Sequence, residues 1–422
     1  MRYKREVLKN GMRIITIPMV DNPTVTVLVM VEAGSKYESK SQNGISHFLE
    51  HMCFKGTKHR PRAIDIAREL DSIGSAYNAF TSQEYTGYYA KSNPKHFETI
   101  IDVVADLYLN PVFQAREIEK EKGVIVEEIN MYEDIPYRHI QDLFTDLLYG
   151  DQPAGRNIAG TRESVRAMSA SDFITYRSRH YLADATTVII AGSFDEEEAR
   201  LLVNSKFATI SLGAKDGKSP VSEYQIKPGL LLKHRATDQA HMVLGVRSFP
   251  IFSKEYMIMK LIDTILGGGM SSRLFQKLRE EMGVGYYVRT SDNAFTDHGY
   301  FDVSTGVDKT RVGDVVRAVL GEFRRLKEEM VAPEELQKAK DYFVGTMYLN
   351  LESSDSLAEF YGYQEILRKP IEMPHYIARS VAKVTAEEVR LVADQIFKND
   401  RLNMALVGPE QNADELKSLL TF

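Results

Sequence analysis

Residues 78–81 read NAFT, and residues 293–296 read NAFT again, 215 positions later. Two further stretches repeat at nearly that distance. TTVIIAGSFDEEEARLLV (186–203) matches LNMALVGPEQNADELKSLL (402–420), with Gly192 set against Gly408 at an offset of 216. Just upstream, SVRAMSASDFITY aligns with SVAKVTAEEVRLV, also at 216. Segments that share one offset describe a structural unit used twice. A chain of 422 residues also exceeds what a single hydrophobic core usually serves. The expected domains are therefore 1–214 and 225–422, homologous to each other. The linker at 215–224 lies in SLGAKDGKSPVSEY, rich in Gly, Ser, Lys and Pro.

Within the first repeat, apolar and turn patterns predict strands near 3–8, 12–18 and 24–32, helices at 44–56 and 62–74, and strands near 76–80 and 85–91. Helices are expected near 95–109, 116–133 and 169–179, then a strand at 186–191 and a helix at 195–204. Hairpins followed by helix pairs indicate an α+β class: two homologous α/β sandwich domains, each a mostly antiparallel sheet packed with helices.

Composition narrows the function classes. Hydrophobic residues make up 43% and charged residues 27%, as in ordinary globular proteins. The net charge of −6 is mild, and neither a basic arm nor an acidic tail is visible, so no nucleic acid or anionic surface is expected as a partner. The longest apolar run, Val25 to Val31, is too short to span a bilayer. With Cys53 as the one cysteine, no internal disulfide can form, and the first residues lack the apolar stretch of a secretory leader. A cytoplasmic location is the expectation.

The chemistry is concentrated in GISHFLEHMCFKGT (44–57), where His47, Glu50 and His51 form an H-x-x-E-H arrangement. On a helix, positions i and i+4 share a face, so two neutral imidazoles can converge on one zinc ion. Glu50 projects towards the same face and can take a proton from water that the metal acidifies; this order of residues is the inverzincin pattern. Cys53, two residues after His51, points off that face and reads as a small buried hydrophobe. A catalytic zinc needs a third protein ligand. Carboxylates cluster in EIEKEKGVIVEEINMYED (117–134), expected as a helix with Ile118, Val124, Ile125 and Ile129 on its apolar side. Glu121 and Glu128, seven apart, share a face there, although charge-rich helices are usually just solvated.

The chain resembles the pitrilysin/insulinase family of metallopeptidases, and most closely its short branch, which includes the catalytic subunit of the mitochondrial processing peptidase and bacterial homologues. HFLEHMCFKGT is similar to that family's metal helix almost residue for residue. The resemblance implies Glu128, 77 residues after His51, as third ligand, and Glu121, seven before it, as supporting carboxylate, with one Zn²⁺ per chain. It also implies a peptide or unfolded polypeptide as substrate. One half of a chamber is expected here, completed in a homodimer or in a heterodimer with an inactive relative. The second repeat lacks the site: MIMKLIDTILGGG has no histidine, and Thr346 falls where Glu128 would recur. Its GGGMSSRLFQKLREEMGVGYYV (267–288) is not followed by the Lys-Ser/Thr of a phosphate loop. It resembles instead the family's substrate-clamping segment, which implies that Arg279 and Tyr286 serve catalysis and substrate binding at the partner's zinc, with Tyr287 as a neighbour of similar chemistry. Asn78, Ala79, Phe80 and Thr81 match the family's edge strand, to which a peptide adds as a further strand. The second NAFT reads as structural. The expected activity is a zinc endopeptidase. The alternatives are a non-catalytic scaffold or regulatory subunit of the same family, whose helices carry an eroded H-x-x-E-H, and a zinc hydrolase of non-peptide amides.

Overall fold

The computed structural model describes residues 2–422. They form eleven strands: β1 (Lys4–Val7), β2 (Arg13–Pro18), β3 (Val25–Val31), β4 (Ala76–Thr81), β5 (Thr86–Ser92), β6 (Thr186–Gly192), β7 (Gly229–His234), β8 (Gln239–Arg247), β9 (Gly285–Ala294), β10 (Gly299–Asp308) and β11 (Leu402–Gly408). One sheet has the order β1-β2-β6-β3-β5-β4 and the other β7-β11-β8-β10-β9. Apart from β1 the two orders are the same, repeat for repeat. In each sheet one pair is parallel, β2 with β6 and β7 with β11, and the rest are antiparallel. The α+β class with two related sheets is the observed fold.

Helices of the first repeat include α1 (Ile45–Cys53), α2 (Ala63–Ser72), α3 (Phe97–Leu109), α4 (Ala115–Asp134) and α5 (Pro136–Tyr149). The last of these has no counterpart among the helices expected from sequence. The apolar side of α4 also differs from expectation by one position: Val124 is exposed and Val126 is buried, alongside Ile118, Ile125 and Ile129.

The reason VTVLVMV and TTVIIAG read as unbroken apolar runs is that both faces of the sheet are covered. Val25, Val27, Val29 and Val31 of β3 join α1 and α3 in one core. On the opposite face the helix Ser354–Ile366 lies so close that a Cβ on its Gly362 would meet Met30 Sδ at 2.8 Å and Ile189 Cδ1 at 3.2 Å. The second sheet repeats the device. Met242, Leu244, Met404 and Leu406 point into its main core, while Val243, Ala405 and Val407 pack against Ile140, Phe144 and Leu148 of α5.

The compact units are consequently discontinuous, in contrast to the contiguous halves read from the repeat. One comprises the chain up to Asn130 with Arg156–Ser219 and Leu349–Met373; the other comprises Met131–Gly155, Pro220–Tyr348 and Pro374–Phe422. The change at Ser219/Pro220 falls inside the expected linker. The helices Pro136–Tyr149 and Ser354–Ile366 begin 218 positions apart, so the two repeats have exchanged equivalent helices. Among the described residues, no helix is long and apolar enough to cross a membrane.

Candidate metal centre

The α1 helix is entered through Gly44, whose φ of 94° is left-handed and whose Cβ, were there one, would lie 2.6 Å from the Ala159 carbonyl oxygen. Glycine is therefore required at the turn. The exposed amides of that first turn are taken by Glu38, a buried carboxylate that accepts hydrogen bonds from Gly44 N at 2.7 Å and Ser46 N at 2.8 Å. Ile45, Phe48, Leu49, Met52 and Cys53 bury one side of α1. His47, Glu50 and His51 are left on the other side. Cys53 is fully buried, with its Sγ 3.6 Å from the Tyr88 hydroxyl, as expected of a packing residue.

Opposite that face runs α4. Glu128 Oε2 lies 3.7 Å from His47 Nε2 and 3.6 Å from His51 Nε2. Among the described residues, His47, His51 and Glu128 are the one group whose ligand atoms all lie within 4.8 Å of one another. A tetrahedral zinc with bonds of about 2.0–2.1 Å needs ligand atoms roughly 3.3–3.4 Å apart, so the cluster fits with only a slight contraction. Its chemistry fits as well. Burial, followed by the charge of His51, pushes the His47 imidazole down to about 4, so it is a neutral nitrogen donor at ordinary pH. Glu121 Oε1 lies 2.9 Å from His51 Nδ1, leaving Nε2 as the nitrogen that faces Glu128. A carboxylate bracing the far nitrogen of a histidine ligand is a recurring arrangement in zinc proteins. Burial works against the His51 imidazolium, but the bond to Glu121 and the charges of Glu128 and Glu50 outweigh it and raise its pKa. His47 Nδ1 is buried and has no such brace among the described residues. Glu127, next to Glu128, is exposed and turned away.

Two further residues reach this centre: Thr81, expected only as part of the substrate edge strand, and Lys55, given no role in the sequence. Thr81 Oγ1 donates to Glu50 Oε2 at 2.5 Å. Burial raises the Glu50 pKa, and this hydrogen bond opposes the rise by favouring the carboxylate. Lys55 Nζ stands 2.7 Å from Glu121 Oε2. The Thr81 contact depends on the strand: β4 is the outer strand of its sheet, with Asn78 exposed, Ala79 buried, and Phe80 lying over Gly87 on β5.

The second unit carries different side chains at the corresponding place. With Gly192 and Gly408 taken as equivalent, the sheet registers set Thr81 opposite Thr86 and Val31, and Asp292 opposite Phe301 and Val246. Asp292 is therefore the spatial counterpart of Thr81, and its carboxylate forms an ion pair at 3.1 Å with Lys260 Nζ of the helix Tyr256–Gly267, the counterpart of α1. An ion pair stands where the first unit has Glu50 and Thr81. The second NAFT does not occupy the place of the first: Asn293 and Ala294 end β9, and Phe295 and Thr296 lie in the turn beyond.

Arg279 lies in a π-helical turn, Gln276–Glu281, a distortion that often accompanies function. Its Nη1 bonds the Tyr286 carbonyl at 3.0 Å, which links the two residues. Tyr286 is 60% exposed, whereas Tyr287 is half-buried with its hydroxyl 3.2 Å from His241 Nδ1, so Tyr286 is the tyrosine free to meet a ligand.

Two family models match this chain: Insulinase (Peptidase family M16) over residues 13–162, and Peptidase M16 inactive domain over residues 167–343. The chain is 33% identical over 412 residues to the uncharacterized zinc protease YmxG of Bacillus subtilis, covering 97% of this chain and 99% of that one. It is 33% identical over 408 residues to the uncharacterized zinc protease ML0855 of Mycobacterium leprae, covering 96% and 91%. A protease from Helicobacter pylori of known crystal structure superposes with a TM-score of 0.89 at 19% identity, covering 97% of this chain and 99% of that one, a likeness that speaks for the fold. The intact H-x-x-E-H helix, the duplicated sheets and relatives matched along nearly their whole length agree: this chain belongs to the insulinase family of peptidases, family M16.

Proposed function

We propose that this protein is a zinc-dependent endopeptidase acting on peptides or unfolded polypeptide segments. The observation that carries this reading is the convergence of His47 Nε2, His51 Nε2 and a Glu128 oxygen, with Glu50 held beside them. His47, His51 and Glu128 would hold one Zn²⁺ per chain, which when bound polarises a peptide carbonyl and makes water a better acid. Glu50 accepts the proton of the attacking water and delivers it to the departing amine. Thr81 keeps the Glu50 carboxylate aimed, and Glu121 keeps His51 in the tautomer that presents Nε2.

Substrate recognition is assigned to the free edge of β4. An extended peptide laid along Asn78–Thr81 would satisfy the strand's outer backbone groups and end beside Glu50. Such binding reads backbone more than side chains and suits a broad substrate range. Arg279 and Tyr286 are assigned to the centre of a second subunit, in a homodimer or in a pair with an inactive relative, where the tyrosine hydroxyl would steady the developing oxyanion. Their mutual bond and the exposure of Tyr286 support this role.

The test uses purified full-length protein and a set of internally quenched fluorescent peptides. Cleavage that is abolished by a chelator and restored by stoichiometric zinc is the expected result. A protein that binds zinc at this centre yet cleaves no peptide would sink the endopeptidase reading.

A further inference from the structure

Glu121 is the pivot between the metal helix and a residue outside it. It is 3% exposed, and its two oxygens are divided: Oε1 faces His51 Nδ1 at 2.9 Å and Oε2 faces Lys55 Nζ at 2.7 Å. Lys55 sits just past the end of α1, four residues after His51, and its own amide bonds back to the Met52 carbonyl at 3.1 Å. A carboxylate held at one oxygen alone can still rotate about its last bond. Held at both oxygens, it has a fixed plane, and the imidazole it supports is fixed with it.

We propose that Lys55 is a positioning residue for the metal centre: by anchoring Glu121 it holds His51 in the ring orientation that presents Nε2 beside His47 Nε2 and Glu128. This rests on the zinc reading above and goes beyond it, because it assigns part of the metal affinity to a side chain that touches no ligand atom. Lys55 also occupies the Glu121 oxygen that could otherwise swing towards the cation and compete with Glu128.

The experiment measures zinc affinity by chelator competition on the full-length protein, in parallel with the visible spectrum of the Co²⁺-loaded form. Lys55→Met should weaken zinc about tenfold, the lower end of what outer-sphere substitutions cost, and should alter the Co²⁺ absorption bands. Lys55→Arg should restore both. In a Glu121→Gln background, Lys55→Met should cause no further loss. A lysine that merely pinned α4 would instead lower the melting temperature and leave the affinity and the Co²⁺ spectrum as they were. That result overturns the proposal, as does an undiminished loss in the Glu121→Gln background. Should Lys55→Met fold poorly, Lys55→Ala, which also removes the donor, carries the same measurements, with native affinity and an unchanged spectrum as the overturning result. Absence of zinc binding by the unaltered protein would overturn the metal reading itself and this inference with it.

Discussion

Thr81 closes strand β4 with its hydroxyl hydrogen-bonded to Glu50 Oε2, so the outer strand of the first sheet and the proposed base are joined by one bond. A carboxylate in a half-buried site is costly to ionise, and a donor aimed at it lowers that cost. Thr81→Val keeps the shape and removes the donor. Because hydrogen bonds to charged groups contribute about 1.5–3 kcal/mol, kcat should fall at least roughly tenfold. KM and zinc content should stay near their native values, and Thr81→Ser should recover most of kcat. A proportionate rise in KM with unchanged kcat would instead assign Thr81 to substrate binding alone.

The roles of Glu50 and Glu128 separate cleanly by measurement. Glu50→Gln removes the proposed proton acceptor and leaves the three proposed ligands, so metal content should be native while kcat drops by about 10²–10⁴, the usual worth of a general base. Glu128→Gln removes the proposed charged ligand, and the purified variant should carry little zinc after dialysis. Substantial turnover by Glu50→Gln, or full metal occupancy in Glu128→Gln, would reassign the residue concerned.

How far the sequence reaches can be seen at these same residues. His47, Glu50 and His51 are legible because a helix brings positions i, i+3 and i+4 onto one face. Glu128 and Glu121 share a face for the same reason, but only the family spacing singles them out from their acidic neighbours. Thr81 is named by the resemblance only as part of the substrate strand and Lys55 is given no role, because their partners here, Glu50 and Glu121, are 31 and 66 residues away. The duplication is legible, yet the exchange of Pro136–Tyr149 for Ser354–Ile366 is not. An apolar helix face carries no mark of which equivalent sheet it covers. The NAFT repeat misleads for a related reason: identical residues end one strand and enter a turn after another, since pairing register is set by β5 and β10, not by the tetrapeptide.

Asp302 supplies a pH dependence in the second unit. It is buried on β10 and accepts a hydrogen bond from Asn293 Nδ2 at 2.9 Å. Burial, reinforced by the nearby Asp263 and Asp292, pushes its carboxyl up to about 7 from an ordinary 3.8. The folded protein thus binds this proton more tightly than the unfolded chain does. The stabilisation is fully present below pH about 4 and is lost as pH rises through about 7. Asp302→Asn should flatten that part of the stability profile, with its largest gain in melting temperature over the native protein at pH 8. An equal gain at pH 5 and pH 8 would remove Asp302 as the source.

The exchanged helix Ser354–Ile366 is tied to the first sheet by Glu365, which accepts Arg5 Nε at 2.7 Å and meets Arg13 Nε at 3.0 Å. The two arginines are unequal partners. The Arg5 side chain is 43% exposed, whereas that of Arg13 is 2% exposed and that of Glu365 6%. Solvent screens the first contact, so Arg5→Ala should cost no more than about 1 kcal/mol. Removing Glu365 leaves the Arg13 guanidinium buried with its main counter-charge gone, and breaking a buried pair from one side costs about 3–5 kcal/mol. Urea denaturation should therefore show Glu365→Ala far less stable than Arg5→Ala. Limited proteolysis should cut first near Leu349–Met373, the segment that Glu365 holds in the unit. Equal destabilisation by the two variants would mean that Arg13 is satisfied by its other neighbours, Thr187 and Asp184, and that packing alone keeps the helix in place.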